Sequence, residues 1–317
     1  MSRKIKWVIF LFFLLALAGG FFSTRNSLVS EKTYSIVFVG DVMLDRGVKN
    51  VINREGDARF PFLKTRDVLS GADLSFANLE GPISKRGKNS GSIYSFRFNP
   101  EIALPALQYA GLDVVSIANN HIFDYGAEAL EDTEKNLSSV GIKSVGAGNN
   151  YLEANSKVIS RLDDGTKIAW LAYTNLYPRS LMAGKDYQGV SDFDLENIKK
   201  QIAAARGDEA DLVFVSYHWG EEYKTSANGN QKELAHAIID AGANLVIGHH
   251  PHVVQEVENY KDGYIAYSLG NFVFDQVFSE GTRNSVALRA LVKEGRILGL
   301  EMAKIRINDS FQPEIVE

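Results

Sequence analysis

The chain has 317 residues, with 34 basic against 39 acidic side chains, a net charge of −5 with histidine neutral, and no cysteine. The missing cysteine excludes disulfides, thiolate zinc sites, iron–sulfur clusters and a cysteine nucleophile. A mildly acidic chain is a poor match for nucleic acid, whose phosphates need a basic surface, and a content of 45% hydrophobic and 23% charged residues excludes a disordered or collagen-like chain.

The chain opens MSRKIK, with three positive charges, followed by an uncharged apolar run over residues 7–22. Basic then apolar is the order of an export signal. The run is short for a bilayer-spanning helix, which needs ~20 residues, and long for a minimal cleaved signal. Ala16-Leu17-Ala18 supplies an A-x-A-like cleavage site. The expectation is a signal-anchor or signal peptide over 1–22, with a cytoplasmic N-terminus and an exported body. Attachment to the cytoplasmic membrane is the first expectation, and secretion after cleavage the alternative. With no lipobox cysteine, a lipoprotein is excluded. Residues 23–32 are polar and aperiodic and read as a linker, leaving 33–317 as one domain.

From residue 33 short apolar runs alternate with amphipathic stretches. The runs cover 34–39, 74–77, 114–118, 168–173, 212–217, 245–247 and 265–269. They are β-branched-rich and nearly continuous, as strands buried on both faces are. Apolar residues at helical spacing mark helices over 100–109, 127–140, 195–206 and 231–241. Strand–helix alternation implies an α/β architecture. Two stretches depart from it. Residues 284–293 and 296–308 alternate around Glu294-Gly295 and predict an antiparallel hairpin. Residues 158–162 and 167–173, joined by the DDGT turn, predict a second. The sheets are therefore expected to be mixed.

Polar residues follow each apolar run: Asp41, Asn78-Leu79-Glu80, Asn119-Asn120-His121, His218, His249-His250-Pro251-His252 and Asn271. In α/β sheets ligands bind beyond the carboxyl ends of the strands, so six runs deliver Asp, Glu, Asn and His to one edge. Five of the six histidines lie there; His236 alone falls on a helix. In extended backbone, positions i and i+2 face the same way, which would bring His250 and His252 to one centre. Imidazole, carboxylate and amide oxygen without thiolate suit Mn²⁺, Fe or Zn²⁺, one or two ions. A carboxylate between two such ions is the arrangement of two-metal hydrolases. His121 with Asp124 three residues on reads as a general acid and its orienting carboxylate; Asp124 also reads as a helix N-cap.

The motifs GDVMLD (40–45), ANLEGP (77–82), ANNHIFDYG (118–126), HWGEEY (218–223), GHHPH (248–252) and YSLGNF (267–272) resemble the CapA family. This is the bacterial capsule (poly-γ-glutamate) synthesis protein family, within the calcineurin-like metallophosphoesterase superfamily. They occur in the expected order across residues 34–277. The resemblance implies a four-layer αββα sandwich with a metal centre at one sheet edge. By position it makes Asp41 the first-strand ligand, Glu80 the bridging carboxylate, Asn120 a ligand, His121 the acid, His218 the isolated ligand histidine, and His250 and His252 the final His-x-His. His249 is left without an assigned role. The partners implied are an anionic cell-surface polymer or a phosphoester substrate, the cytoplasmic membrane and capsule-synthesis membrane proteins.

Two departures stand out. The superfamily pattern begins Asp-x-His, but Asp41 is followed by Val42 and Met43, so one ion loses an imidazole. Residues 40–47 also read Gly-Asp-x-x-x-Asp-Arg-Gly on the first strand, one residue longer than the superfamily's second motif, Gly-Asp-x-x-Asp-Arg-Gly. Arg46 is an expected anion contact or a solvated charge at a helix start. Glu222 is expected to orient a ligand, bind substrate or lie on the surface, and Asn271 to meet substrate oxygens or serve a turn. Trp219 and Tyr223 are expected as pocket walls.

Overall fold

The computed structural model describes residues 32–316. The predicted export segment and residues 23–31 of the predicted linker lie outside the described residues. The first half of the described chain contains β1 (Tyr34–Val42), α1 (Arg46–Glu55), α2 (Arg66–Ser70), β2 (Leu74–Leu79), α3 (Pro100–Ala110), β3 (Val114–Ser116), α4 (Ala127–Ser139), β4 (Lys143–Val145), β5 (Ala147–Gly148), α5 (Tyr151–Asn155), β6 (Val158–Arg161) and β7 (Lys167–Thr174). The second half contains β8 (Gly189–Val190), α6 (Leu195–Gly207), β9 (Leu212–His218), α7 (Gly229–Asp240), β10 (Leu245–His249), β11 (Val257–Tyr260), β12 (Gly263–Ala266), β13 (Asn271–Val273), α8 (Glu280–Arg283), β14 (Asn284–Lys293), β15 (Arg296–Ile307) and β16 (Pro313–Ile315).

Two mixed sheets form the centre. One has the order β16-β15-β14-β1-β2-β3-β4, with β13 also pairing β1; the other has the order β11-β12-β10-β9-β7-β6. Alternate residues of each central strand serve opposite faces. Ile36 and Phe38 join Trp170, Phe214 and Ile247 in the layer between the sheets. Val37 and Val39 pack outward with residues of α1, α3 and α4. In the second sheet Ala169, Leu171, Val213 and Val215 pack outward against Ile198, Ile202 and Ile238 from α6 and α7. The result is a four-layer αββα sandwich, and burial on both faces explains the continuous apolar runs. Phe76 stacks on Trp170 at 5.2 Å and 2° between the planes, and Phe38 and Phe214 close on the same indole at 5.9 and 5.2 Å. These rings tie the two sheets together. Among the described residues no helix is long and apolar enough to cross a membrane.

Both predicted hairpins are present as the antiparallel pairs β14–β15 and β6–β7. Glu294 and Gly295 both have positive φ, 51° and 68°, the backbone a tight two-residue hairpin turn requires. The run at 265–269 corrects the expectation of a single strand. β12 ends at Ala266, and the chain then leaves the second sheet for the first, where Asn271 begins β13 and pairs with Asp41 of β1 in parallel. Hydrophobicity marks 267–269 as buried, but the segment is a bridge between layers.

Candidate metal centre

Strands β1, β2 and β3 run parallel to one another in the first sheet, as do β7, β9 and β10 in the second, so their carboxyl ends share an edge. Asp41 lies near the end of β1, Glu80 directly after β2, Asn120 and His121 after β3, His218 at the end of β9, and His249 to His252 at and beyond the end of β10. Two glycines let these strands approach the bridging segment. A Cβ at Gly40 would lie 1.8 Å from the Gly270 carbonyl oxygen, and one at Gly248 would lie 1.9 Å from that of Tyr267. Backbone passes so close that only glycine fits before Asp41 and His249.

The six expected ligands do not all touch one another, but they form one connected cluster. Asp41, Glu80 and His218 offer donor atoms within 4.8 Å of one another. His218 Nε2 is 2.8 Å from Asn120 Oδ1. His252 Nδ1 is 3.3 Å from Asp41 Oδ2, and its Nε2 is 3.6 Å from Glu80 Oε1. The rings of His218 and His250 are 5.0 Å apart, and those of His250 and His252 5.7 Å apart. His250 and His252 converge for a reason other than the expected one. They are not on extended backbone: their φ values are +97° and +58°, and a tight left-handed turn through Pro251 presents both rings. Non-glycine residues in this region are strained, and such strain collects at functional sites.

The expected acid pair meets in space. His121 Nδ1 is 2.7 Å from Asp124 Oδ2, and His121 Nε2 points inward, 3.8 Å from Glu80 Oε1. Asp124 also accepts the Phe96 N–H at 2.7 Å. It does not cap the following helix, whose N-cap is Gly126. The Phe96 ring packs 4.1 Å from the imidazole and fixes its plane.

Three expected substrate contacts separate. Arg46 and Glu222 line a cavity of about 730 Å³ over the cluster, together with Asn120, His121, Asp124 and His252. Arg46 is ion-paired with Asp275, through Nε at 3.1 Å and a second, shorter contact, and lies over the Phe96 ring. Much of its charge is therefore already answered. Asn271, expected at substrate, is instead fully buried and absent from the cavity lining. Its Oδ1 is 2.9 Å from His252 Nδ1, so it sets the ring's orientation and leaves Nε2 toward the cluster. An amide or carboxylate behind a ligating imidazole performs this positioning in metal sites generally. Trp219, expected as a pocket wall, is buried in the core beneath, with its indole N–H on the Tyr267 carbonyl at 3.0 Å. Tyr223 does line the cavity.

Sequence reasoning assigned nothing to Asn78, which lies at the centre of the polar network. Its Nδ2 is 2.8 Å from Asp41 Oδ1 and 3.2 Å from Glu80 Oε2, and its Oδ1 accepts from Asn119 at 3.0 Å. The available signal was its position between two strand-end carboxylates, in the same ANLE run as Glu80. His249 is also placed: fully buried, with Nδ1 3.3 Å from Asp41 Oδ1 but off the line of a hydrogen bond.

Electrostatics favour a cation. Burial drives the His218 imidazole well below its ordinary value and His250 down to about 3, with neighbouring imidazoles adding to both shifts. These rings are neutral and present lone pairs. Burial acts to raise the Asp41 carboxyl, but the His249 and His252 imidazoles beside it outweigh burial and hold it well below the usual carboxylate range. Burial, then the Asp41 charge, push Glu80 well above that range. Glu80 Oε1, both ring nitrogens of His249 and Nδ1 of His250 are buried without a hydrogen-bond partner among the described residues. Buried polar atoms without partners are rare and need a reason. Two facing carboxylates among neutral imidazoles and an amide oxygen are the donor set of a divalent cation, and the residues fit one.

A family model described as bacterial capsule synthesis protein PGA_cap matches residues 35–276. The capsule biosynthesis protein CapA of Bacillus anthracis is 35% identical over 286 residues, 87% of this chain and 68% of its own length. The PGA biosynthesis protein CapA of Bacillus subtilis is 33% identical over 309 residues, 96% of this chain and 80% of its own. Among solved structures, the NAD nucleotidase of Haemophilus influenzae shares 10% identity at a TM-score of 0.47, over 90% of this chain and 54% of that one. The chain thus spans about half the length of that nucleotidase.

Proposed function

The chain belongs to the bacterial capsule synthesis protein family PGA_cap, and on that premise we propose that it is a metal-dependent hydrolase of the cell envelope acting in capsule or poly-γ-glutamate synthesis. The names of the two Bacillus relatives point to that process. The single observation that carries catalysis is the His121–Asp124 pair, aimed from the cavity wall at the unpartnered Glu80 oxygen.

Asp41, Glu80, Asn120, His218, His250 and His252 would hold one or two ions of Mn²⁺, Fe or Zn²⁺. Bound there, such an ion lowers the pKa of a water and stabilises negative charge on the oxygen under attack. The chain's own residues supply the rest. Asp124 holds the Nδ1–H of His121, so the protonated ring presents Nε2–H to the cavity and donates it to the leaving group. Phe96 keeps that ring in plane and excludes water from one face. Asn78 and Asn271 hold Asp41 and His252 in place.

The substrate class is a phosphoester, or an amide or ester of an anionic surface polymer. The cavity carries Glu222, Asp124 and Asp275 against Arg46, so an anion is held there by bound cations more than by arginine. Residues 1–22 would attach the chain to the cytoplasmic membrane with the domain outside, beside capsule-synthesis membrane proteins. The test is hydrolysis of a chromogenic phosphodiester and of poly-γ-glutamate by the purified protein with Mn²⁺. Activity is expected to fall by 10²-fold or more in His121→Ala; full activity in that variant removes the acid assignment.

A second reading is a non-catalytic assembly or export factor that binds the anionic polymer through its metal edge. Met43, in place of the superfamily's imidazole, favours it. Metal-loaded protein that binds poly-γ-glutamate and turns over nothing would establish it.

A further inference from the structure

Met43, at the position of the missing imidazole, is fully buried, and its Sδ lies 3.1 Å from the Asp45 backbone nitrogen. Its side chain packs in the apolar core with Val42 and Leu44, and it offers no imidazole. The donor atoms divide into two groups. Asp41, Glu80 and His218 form the buried one; Glu222, His250 and His252 form another, also with donors within 4.8 Å of one another. Donors on opposite sides of one ion stand about 4.4 Å apart at most when each bond is ~2.0–2.2 Å. Small side-chain rotations therefore close the second group on a single ion.

Two further observations point to that ion. His250 is 7% exposed, and its Nδ1 has no hydrogen-bond partner among the described residues. The loop carrying Glu222 is also fastened to the turn carrying the histidines. The Trp219 N–H donates to the His249 carbonyl at 3.0 Å, and the Tyr223 N–H donates to the Pro251 carbonyl at 2.8 Å. The peptide following Glu222 is thus tied to the residue between His250 and His252, and Tyr223 takes a φ of 65° to make the bond. The carboxylate is held over the two imidazoles by backbone, although the side chain itself is exposed.

We propose that Glu222 is a metal ligand, filling with a carboxylate the place that the superfamily pattern gives to an imidazole on the first strand. The proposal rests on the metal-dependent reading above and assigns one residue within it. Exchanging nitrogen for oxygen shifts the outer position toward harder ions, so Mn²⁺ gains relative to Zn²⁺.

The test is titration of the metal-free full chain with Mn²⁺ alone, followed by calorimetry and by elemental analysis after desalting. Wild type is expected to hold two ions. Glu222→Gln is expected to hold one, or to bind the weaker ion at least ~10-fold less tightly, the scale on which metal sites respond to loss of a supporting group. Glu221→Gln removes a neighbouring charge from the same loop and should change neither number; Glu222→Asp should recover part of the loss. Metal-free Glu222→Gln should melt as wild type does, because the side chain is exposed. Wild-type stoichiometry and affinity in Glu222→Gln overturn the proposal while leaving the metal site standing. An equal loss in Glu221→Gln also overturns it, since the effect is then general charge. A wild-type chain that binds no Mn²⁺ overturns both the proposal and the reading beneath it.

Discussion

Replacing Glu80 with glutamine distinguishes the metal-free site from the loaded one. Glu80 is fully buried, Oε1 has no hydrogen-bond partner among the described residues, and burial together with the nearby Asp41 charge holds the carboxyl well above its usual range. Burial and the Asp41 charge favour the protonated form when no cation is bound, and glutamine is close in shape to that form. Its amide oxygen still accepts from Asn78 Nδ2, 3.2 Å away in the wild type. A volume-conserving change of this kind should alter metal-free stability by less than about 1.5 kcal/mol. With Mn²⁺ the two proteins diverge. An ion present at 100 times its Kd stabilises the native state by ~2.7 kcal/mol, and at ~2–4 °C per kcal/mol the wild-type Tm rises by about 5–11 °C. Glutamine would offer a bound cation no negative charge, so most of that rise should vanish in Glu80→Gln. Melting followed by circular dichroism, in chelator and in Mn²⁺ at one pH, measures both halves. An undiminished metal-dependent rise in the variant removes Glu80 from the ligand set. A metal-free variant destabilised by more than ~3 kcal/mol refutes the repulsion argument, because Glu80 would then be ionised and paired.

Gly40→Ala should destabilise the chain by about 1–3 kcal/mol through overpacking, since the new methyl meets the Gly270 carbonyl at 1.8 Å; it should also weaken Mn²⁺ binding by moving Asp41, and an unchanged melt would contradict the close approach. Glu134 on α4 is pushed up to about 7 by burial and by Glu153 and Glu131, with Asn149 Nδ2 donating to it at 3.2 Å. Its folded-state pKa exceeds the unfolded one, so its contribution is fully present below about pH 4.5 and is lost as pH rises through 7. The difference from the usual 4.5 bounds the effect at ~3 kcal/mol, and part exposure reduces it to about 1–2 kcal/mol. Glu134→Gln should therefore raise the Tm at pH 8 and leave it nearly unchanged at pH 4.5, as melts at the two pH values would register.

Much of the site was legible because parallel strands end at one edge. The runs before Asp41, Asn78, Asn119 and His218 are continuously apolar because both faces of each strand are buried, and a polar residue appears where the strand leaves the core. Hydrophobic pattern and strand-end chemistry thus located Asp41, Glu80, Asn120, His121, His218, His250 and His252 at one edge of an α/β fold. The Glu294-Gly295 turn was equally local, since two adjacent positive φ values select their own residues.

The tertiary structure decided everything that depends on which layer lies against which. A buried run at 265–269 reads as strand, yet its second half crosses between sheets, because apolar character reports burial and says nothing of the partner. That crossing buries Asn271 behind His252 and requires glycine at 40 and 248. His250 and His252 share a centre through a left-handed turn held by the folded body, where local geometry predicted an extended strand. Arg46 meets Asp275 across 229 residues of sequence, and Glu222 reaches the histidines only because two backbone hydrogen bonds fasten its loop to Pro251 and His249. Short-range preferences set strands, turns and ligand types; contacts between residues distant in sequence form only when both sheets have closed, and those contacts aim the side chains.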